Sequence, residues 1–241
     1  MKISAIIFDV DGVLLDSNQM MIDLHRIIAK KMNLRVPDKK EITSLWGKSF
    51  PELITSIWHD VDPKVFKKNV VDYIKKEKII FPVVKGSKET LKKLKRMGFK
   101  LGIVTGRPMD FTIDHMKNSG FDLELFDVIV TGDDTKNHKP SPDPILRAVN
   151  LLKVKPEEII YVGDSLIDFK AAKNAKVEFV GVLTGDVKEE EWKKNGVKNI
   201  IQSVADLEKN SRTKIYLILD GLIQQFLYIK QKNSSSPLYQ V

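Results

Sequence analysis

Residues 6–17 read IIFDVDGVLLDS. A short apolar run ends in two carboxylates, Asp9 and Asp11, followed by Gly12 and a second apolar run. Carboxylates at the end of a buried strand cost free energy unless something there uses them. Side chains two apart on a strand point the same way, so Asp9 and Asp11 are expected to converge on one point. That point lies beyond the strand's carboxyl end, where open α/β sheets bind ligands. A carboxylate pair there can hold a cation, or divide into a nucleophile and a general acid/base. An ordinary strand-to-turn Asp pair before a glycine looks the same, so the pair alone decides little.

Three later stretches carry the argument further. Residues 101–108 read LGIVTGRP, a buried strand running into Thr105 and Gly106. Residues 137–144 read NHKPSPDP and place Lys139 in a stiff, proline-rich turn before a helix. Residues 159–168 read IIYVGDSLID, a strand ending at Gly163 and Asp164 with Asp168 four residues on. Each puts a phosphate-relevant group just after an apolar strand. In this order the four segments resemble the haloacid dehalogenase-like hydrolase superfamily, in its phosphoglycolate phosphatase-like branch. The resemblance covers about residues 1 to 208.

The pattern between the motifs gives an α/β architecture. Ser17 is placed to cap a helix from about Asn18 to Asn33, with Met21, Leu24, Ile27, Ile28 and Met32 on its apolar face. Pro51 can begin a second helix, and Asp62-Pro63 opens a third with Val65, Phe66, Val70, Tyr73 and Ile74 inward. From Pro82 onward helices alternate with strands expected near 100–105, 128–131, 159–162 and 178–182. Alternation of this kind implies parallel strands covered on both faces. The expected fold is a doubly wound, Rossmann-like core formed by residues 1–16 and 82–208. An inserted helical cap occupies 17–81, and 209–241 form a C-terminal helix and a disordered tail.

Composition fits a soluble enzyme. The 241 residues suffice for one large domain or a domain with a small insert, and the absence of cysteine excludes disulfides and thiolate metal sites. One short apolar run precedes Asp9, too short for a signal peptide, so a cytoplasmic location is expected. The net charge of +8 can attract nucleic acid. Lysines such as Lys75, Lys76 and Lys78, or Lys92, Lys93 and Lys95, nevertheless lie at the spacing of solvated helix faces, and no nucleic-acid motif accompanies them.

The resemblance assigns roles residue by residue. It implies that Asp9 attacks phosphorus and becomes an aspartyl phosphate, while Asp11 protonates the departing alkoxide and then activates water. Mg2+, suited to an oxygen-only site, would be held by the carboxylates of Asp9 and Asp164 and the backbone carbonyl of Asp11. Asp168 would orient metal-bound water or Lys139. Lys139 would place its charge on the transferring oxygens, and Thr105 with the amides around Gly106 would donate hydrogen bonds to them. Arg107 departs from the commoner small polar residue, and either grips a second anionic group on the substrate or pairs at the surface. Asp133 and Asp134 either brace Lys139 or serve a turn. Gly47 and Lys48, in the segment Trp46-Gly47-Lys48-Ser49, are expected to contact substrate from the cap, against a plain turn in which Trp46 and Trp58 are cap core. The histidines His25, His59, His115 and His138 show no metal-like clustering and read as incidental.

The expected activity is therefore Mg2+-dependent hydrolysis of a small phosphorylated metabolite, with phosphoglycolate first and pyrophosphate or sugar phosphates next. A dehalogenase needs neither Asp11 nor Asp164, and a phosphonate-cleaving relative lacks an acid at the Asp11 position. A sugar-phosphate mutase usually has Glu where Gly163 stands. A non-enzymatic scaffold that recruits partners through its C-terminal helix is the reading from a different class. Residues 212–232, RTKIYLILDGLIQQFLYIKQK, are too interrupted for a membrane span. They are expected to pack on the core or to form a homodimer contact, as can the cap; neither nucleic acid nor membrane is expected as a partner.

Overall fold

A computed structural model describes residues 3–46 and 48–207. Gly47 and the stretch after 207 lie outside the described residues, and with them the expectations for a Gly47 substrate contact and a C-terminal helix.

Six parallel strands form one sheet in the order β3-β2-β1-β4-β5-β6. They are β1 (Ala5–Phe8), β2 (Lys100–Val104), β3 (Val128–Val130), β4 (Ile159–Gly163), β5 (Glu178–Val182) and β6 (Ile200–Ile201). The four β1 residues are all buried because both faces of the sheet are covered. Their side chains alternate: Ile6 and Phe8 join one hydrophobic cluster, Ala5 and Ile7 the other. The first cluster includes α5 (Ser87–Arg96) and α6 (Met109–Asn118); the second takes in α7 (Asp143–Leu152), α8 (Leu166–Ala175) and α9 (Glu189–Lys194).

The sheet topology positions the chemistry. Strand β1 pairs in parallel with β2 on one side and β4 on the other, so the order in which strands are added reverses at it. The segments following these three strands carry Asp9, Thr105 and Asp164, and they meet at the switch point where such sheets bind ligands.

Between β1 and α5 the chain forms α1 (Asn18–Lys31), α2 (Lys39–Thr43), α3 (Phe50–Ile57) and α4 (Pro63–Glu77). Phe66, Val70 and Ile74 bury the inner side of α4 as their spacing predicts, whereas Val65 is 49% exposed. Burial of each large apolar side chain contributes roughly 1.5–3 kcal/mol before conformational entropy is subtracted. Helix α3 starts with a full capping box between Ser49 and Glu52 and carries Pro51 in its first turn. The crossings into and out of this insertion run side by side: Asp16 N donates to Pro82 O at 2.8 Å, and Val84 N to Leu14 O at 3.0 Å. Phe50 packs against Phe111 with ring centroids 5.8 Å apart, joining the insertion to the sheet layer.

Two short elements escape sequence reading. Helix α2, KKEIT, buries only Ile42 and so offers no period. Strand β6 has two residues and is recognisable only by its pairing with β5. Ser17 also departs from expectation: its side chain makes no cap hydrogen bond to α1 and instead donates to Asp11. The lysines at 75, 76, 78, 92 and 93 are exposed on helix faces, and Lys95 pairs with Asp127 at 2.6 Å. No described helix is long and apolar enough to cross a membrane.

Candidate active site

Asp9, Asp11, Thr105, Gly106, Arg107, Lys139 and Asp164 line one cavity, together with Lys48 from the helical insertion. The cavity is about 80 Å³, small enough to restrict what can accompany a phosphoryl group. Its floor is a buried network of opposite charges. Lys139, 6% exposed, donates to Asp168 at 2.6 Å and to Tyr161 Oη at 3.2 Å. Its Nζ also lies 3.2 Å from Asp9 Oδ1, an ion-pair distance at which that oxygen receives no hydrogen bond. Burial disfavours the Lys139 charge, but Asp168 and Asp9 outweigh burial and hold the ammonium well above the usual lysine value.

The carboxylates divide by partner. Asp168 is fully buried and saturated: one oxygen accepts from Lys139 and Tyr161, the other from Ser165 N and Oγ. Of its two expected tasks, the geometry favours orienting Lys139, and the capping box with Ser165 fixes it at the start of α8. Asp164 accepts from Asn18 Nδ2 at 2.9 Å. Gly12, at φ +67°, passes so close that a Cβ there would come 2.1 Å from Asp164 Oδ2, so glycine is needed for both conformation and space.

Asp9, Asp164 and Asp168 each offer a carboxylate oxygen within 4.8 Å of the others, the one such acidic or histidine cluster among the described residues. Burial raises the Asp9 carboxyl from 3.8 to about 7 against the opposing pull of Lys139. Burial and then the neighbouring carboxylates Asp168 and Asp9 push Asp164 up as well. Two carboxylates that resist ionising side by side, one with an oxygen lacking a hydrogen bond, fit a hard divalent cation such as Mg2+. With Asp168 already saturated, Asp9 and Asp164 are the pair that would hold it.

Asp11 corrects the simple strand argument. Strand β1 ends at Phe8, so the two-residue period does not extend to Asp11. Both carboxylates line the cavity, but Asp11 is bound to Arg107 Nε at 2.7 Å, Arg107 Nη2 at 2.5 Å and Ser17 Oγ. Burial pushes Asp11 toward its neutral form, yet Arg107 and Ser17 outweigh it and hold the carboxyl below its usual value. Arg107 is not a surface pair; it lines the cavity with its guanidinium bonded to Asp11. It is 7% exposed, it donates to His115 Nδ1 at 2.8 Å, and its guanidinium lies 5.0 Å from the centre of the Phe81 ring. Arg107→Met should therefore strip Asp11 of its bidentate partner. With the Asp11 side chain 27% exposed, the expected loss is about 1.5–3 kcal/mol, read as a lower urea midpoint with an unchanged slope.

Other expectations separate cleanly. Asp133 accepts from Met109 N, the first residue of α6, at 2.7 Å, and Asp134 accepts from Thr131 N and Oγ1 within its turn, so neither braces Lys139. Trp58 is core, bonded through Nε1 to Arg35 O at 2.8 Å, whereas Trp46 lines the cavity. Lys48 is exposed and donates to Ser56 Oγ at 3.2 Å. Two histidines are not incidental. His25 lines the cavity, and His115, pushed down to about 3 by burial and then by Arg107, is a neutral acceptor behind Arg107. Asn18, Tyr161 and Ser165 were missed as well. Asn18 and Ser165 sit at helix starts, where a polar residue signals a cap, and Tyr161 lies mid-strand among apolar residues.

The model of haloacid dehalogenase-like hydrolases matches residues 6–182, a span that includes all four motifs. The chain belongs to the haloacid dehalogenase-like hydrolase family. Two relatives within it are named pyrophosphatase PpaX. The one from Halalkalibacterium halodurans is 35% identical over 183 residues, covering 74% of this chain and 82% of that protein. The one from Bacillus cereus (strain Q1) is 32% identical over 192 residues, covering 76% and 84%. The solved structure of beta-phosphoglucomutase from Clostridium difficile superimposes with a TM-score of 0.73 at 23% identity, covering 94% of this chain and 99% of that one, a likeness of fold alone. In this haloacid dehalogenase-like hydrolase, Arg107 clamps Asp11 beside the cavity that Asp9, Lys139 and Asp164 line.

Proposed function

We propose that this hydrolase is a Mg2+-dependent phosphatase acting on a small phosphate ester through an aspartyl phosphate on Asp9. The observation that carries the reading is the buried Lys139, held between Asp9 and Asp168 in a cavity that also contains Thr105 and Asp164. A phosphate dianion repels an anionic attacker, and a fixed buried cation beside the attacking carboxylate offsets that repulsion. A bound Mg2+, held by Asp9 and Asp164, would supply further positive charge to the phosphoryl oxygens.

The chain's own groups then divide the work. Asp9 displaces the leaving oxygen and takes the phosphoryl group, while the Lys139 ammonium and Thr105 meet the developing charge on the equatorial oxygens. Asp11, held as an anion, is suited to remove a proton from the water that attacks the aspartyl phosphate. Delivering a proton to a departing alkoxide requires Asp11 first to give up its Arg107 contacts and take up a proton. The helical insertion of 17–81 acts as a cap over the core of 1–16 and 82–208, and closure excludes water until substrate is seated. Lys48, which lines the cavity from the cap side, would meet the leaving group. Phosphoglycolate and pyrophosphate head the substrate panel.

The test is phosphate release from that panel by purified protein with Mg2+ and with EDTA. Metal-dependent turnover on at least one small phosphate compound is expected; none on any would overturn the reading. Thermal unfolding gives a second readout. Asp9 holds a proton in the folded, metal-free chain that the unfolded chain releases. Its contribution is complete below about 3.8 and is lost as pH rises through about 7. Mg2+ binds the ionised carboxylates, so it should raise Tm more at pH 8 than at pH 5. At a hundredfold excess over Kd the gain is about 2.7 kcal/mol.

A further inference from the structure

Buried polar atoms without partners cluster at this cavity. Among the described residues, five buried side-chain polar atoms lack a hydrogen-bond partner, and those on Asp9, His25 and Trp46 belong to residues lining the cavity. Proteins seldom leave such atoms unmatched, and where they do a ligand or water commonly completes them. The Asp9 oxygen is explained by the chemistry above. His25 Nε2 and Trp46 Nε1 are not used by it.

The two atoms have opposite and assignable character. His25, in α1, is 1% exposed and has Nδ1 2.7 Å from Met21 O. A carbonyl only accepts, so Nδ1 carries the hydrogen and Nε2 presents a lone pair in the neutral ring. No carboxylate pairs with the ring among the described residues, and it packs against Phe66 with centroids 5.8 Å apart and Phe50 at 6.2 Å. Burial lowers its pKa, which keeps it neutral. Trp46 Nε1 can only donate. Two residues of the cavity wall therefore carry one unmatched acceptor and one unmatched donor, both closed to solvent, among apolar groups such as Met21, Phe50, Leu53 and Phe111.

Resting on the phosphatase reading, we propose that His25 and Trp46 are specificity-determining residues that recognise a hydroxyl group on the leaving side of the substrate. A hydroxyl hydrogen satisfies His25 Nε2, and an oxygen lone pair satisfies Trp46 Nε1. A carboxylate in the same place meets Trp46 but opposes the Nε2 lone pair, and an alkyl group leaves both unmatched. The substrate class is thus a small polyol or sugar phosphate, ahead of phosphoglycolate.

The experiment compares kcat/KM for glycerol 3-phosphate, n-propyl phosphate and phosphoglycolate in the wild-type protein, His25→Leu and His25→Gln. Wild type should favour glycerol 3-phosphate over n-propyl phosphate by roughly tenfold or more. His25→Leu should bring that ratio near one by losing more on glycerol 3-phosphate than on n-propyl phosphate, and His25→Gln, which keeps an acceptor, should restore part of the preference. No preference in wild type, or equal loss on all three substrates in His25→Leu, overturns the proposal. The wild-type comparison needs no variant to fold. In parallel, imidazole 15N spectra of the metal-free wild-type protein should show Nδ1–H and an Nε2 resonance that moves when glycerol 3-phosphate is added. A still resonance overturns the recognition even if hydrolysis occurs. Hydrolysis of none of the three or of the wider panel overturns the phosphatase reading, while the spectra still report on His25.

Discussion

Asp9→Asn is expected to abolish turnover. An amide is not a competent nucleophile toward phosphorus and is a poor ligand for Mg2+, so one substitution removes two functions. The loss should lie far beyond the roughly 10–100-fold that follows disturbance of a supporting residue, and on the order of 10⁴-fold or more as for other nucleophile deletions. The fold should survive. Asp9 is a buried carboxyl pushed up to about 7, so its ionised form is strained in the metal-free protein. Lys139 also keeps Asp168 at 2.6 Å as a partner. At pH 8 without metal the variant should therefore unfold at a temperature no lower than wild type, and the Mg2+-induced rise in Tm should shrink. Near-normal, metal-dependent phosphate release by Asp9→Asn would refute the aspartyl-phosphate mechanism.

Lys139→Met should produce the opposite combination, losing both activity and stability. Removing one preorganised charge from the transferring oxygens costs roughly 10²–10³-fold in kcat. It also leaves Asp9, Asp164 and Asp168 buried together without their cation, an uncompensated arrangement that costs about 3–5 kcal/mol. The pH dependence follows from which groups titrate. Lys139 is held well above the usual lysine value, so in wild type its contribution is intact at both pH 5 and pH 8. In the variant, Asp9 and Asp164, already pushed up by burial, can protonate as pH falls and relieve their repulsion. Urea midpoints should therefore separate variant from wild type more at pH 8 than at pH 5. A constant gap across that range would mean that Lys139 stabilises through packing of its stem instead of its charge.

Much of the frame is legible in the amino-acid sequence. The apolar run ending at Phe8, the strands before Thr105 and Asp164, and the proline-stiffened turn around Lys139 are all local signals. Continuous apolar strands of four to five residues separated by amphipathic helices follow from a sheet buried on both faces. Elements without an apolar period, such as α2 and the two-residue β6, gave no such signal, because pairing and packing alone create them.

The sequence by itself determined which groups would be available beyond the strand ends: Asp9, Thr105, Lys139 and Asp164, each fixed within a few residues of a strand or a stiff turn. The tertiary structure decided what those groups, and Asp11 with them, are bonded to. Arg107 follows Asp11 by 96 positions and Asp168 follows Lys139 by 29, and no local pattern announces such pairs. The same holds for Asn18 against Asp164, separated by 146 positions. A side chain's charge state and reach depend on burial and on neighbours brought together by the fold, which period and spacing do not encode. That is why the bond between Arg107 and Asp11 shows only in the fold, and why His25, one polar residue on an apolar helix face, acquires meaning only as a cavity wall.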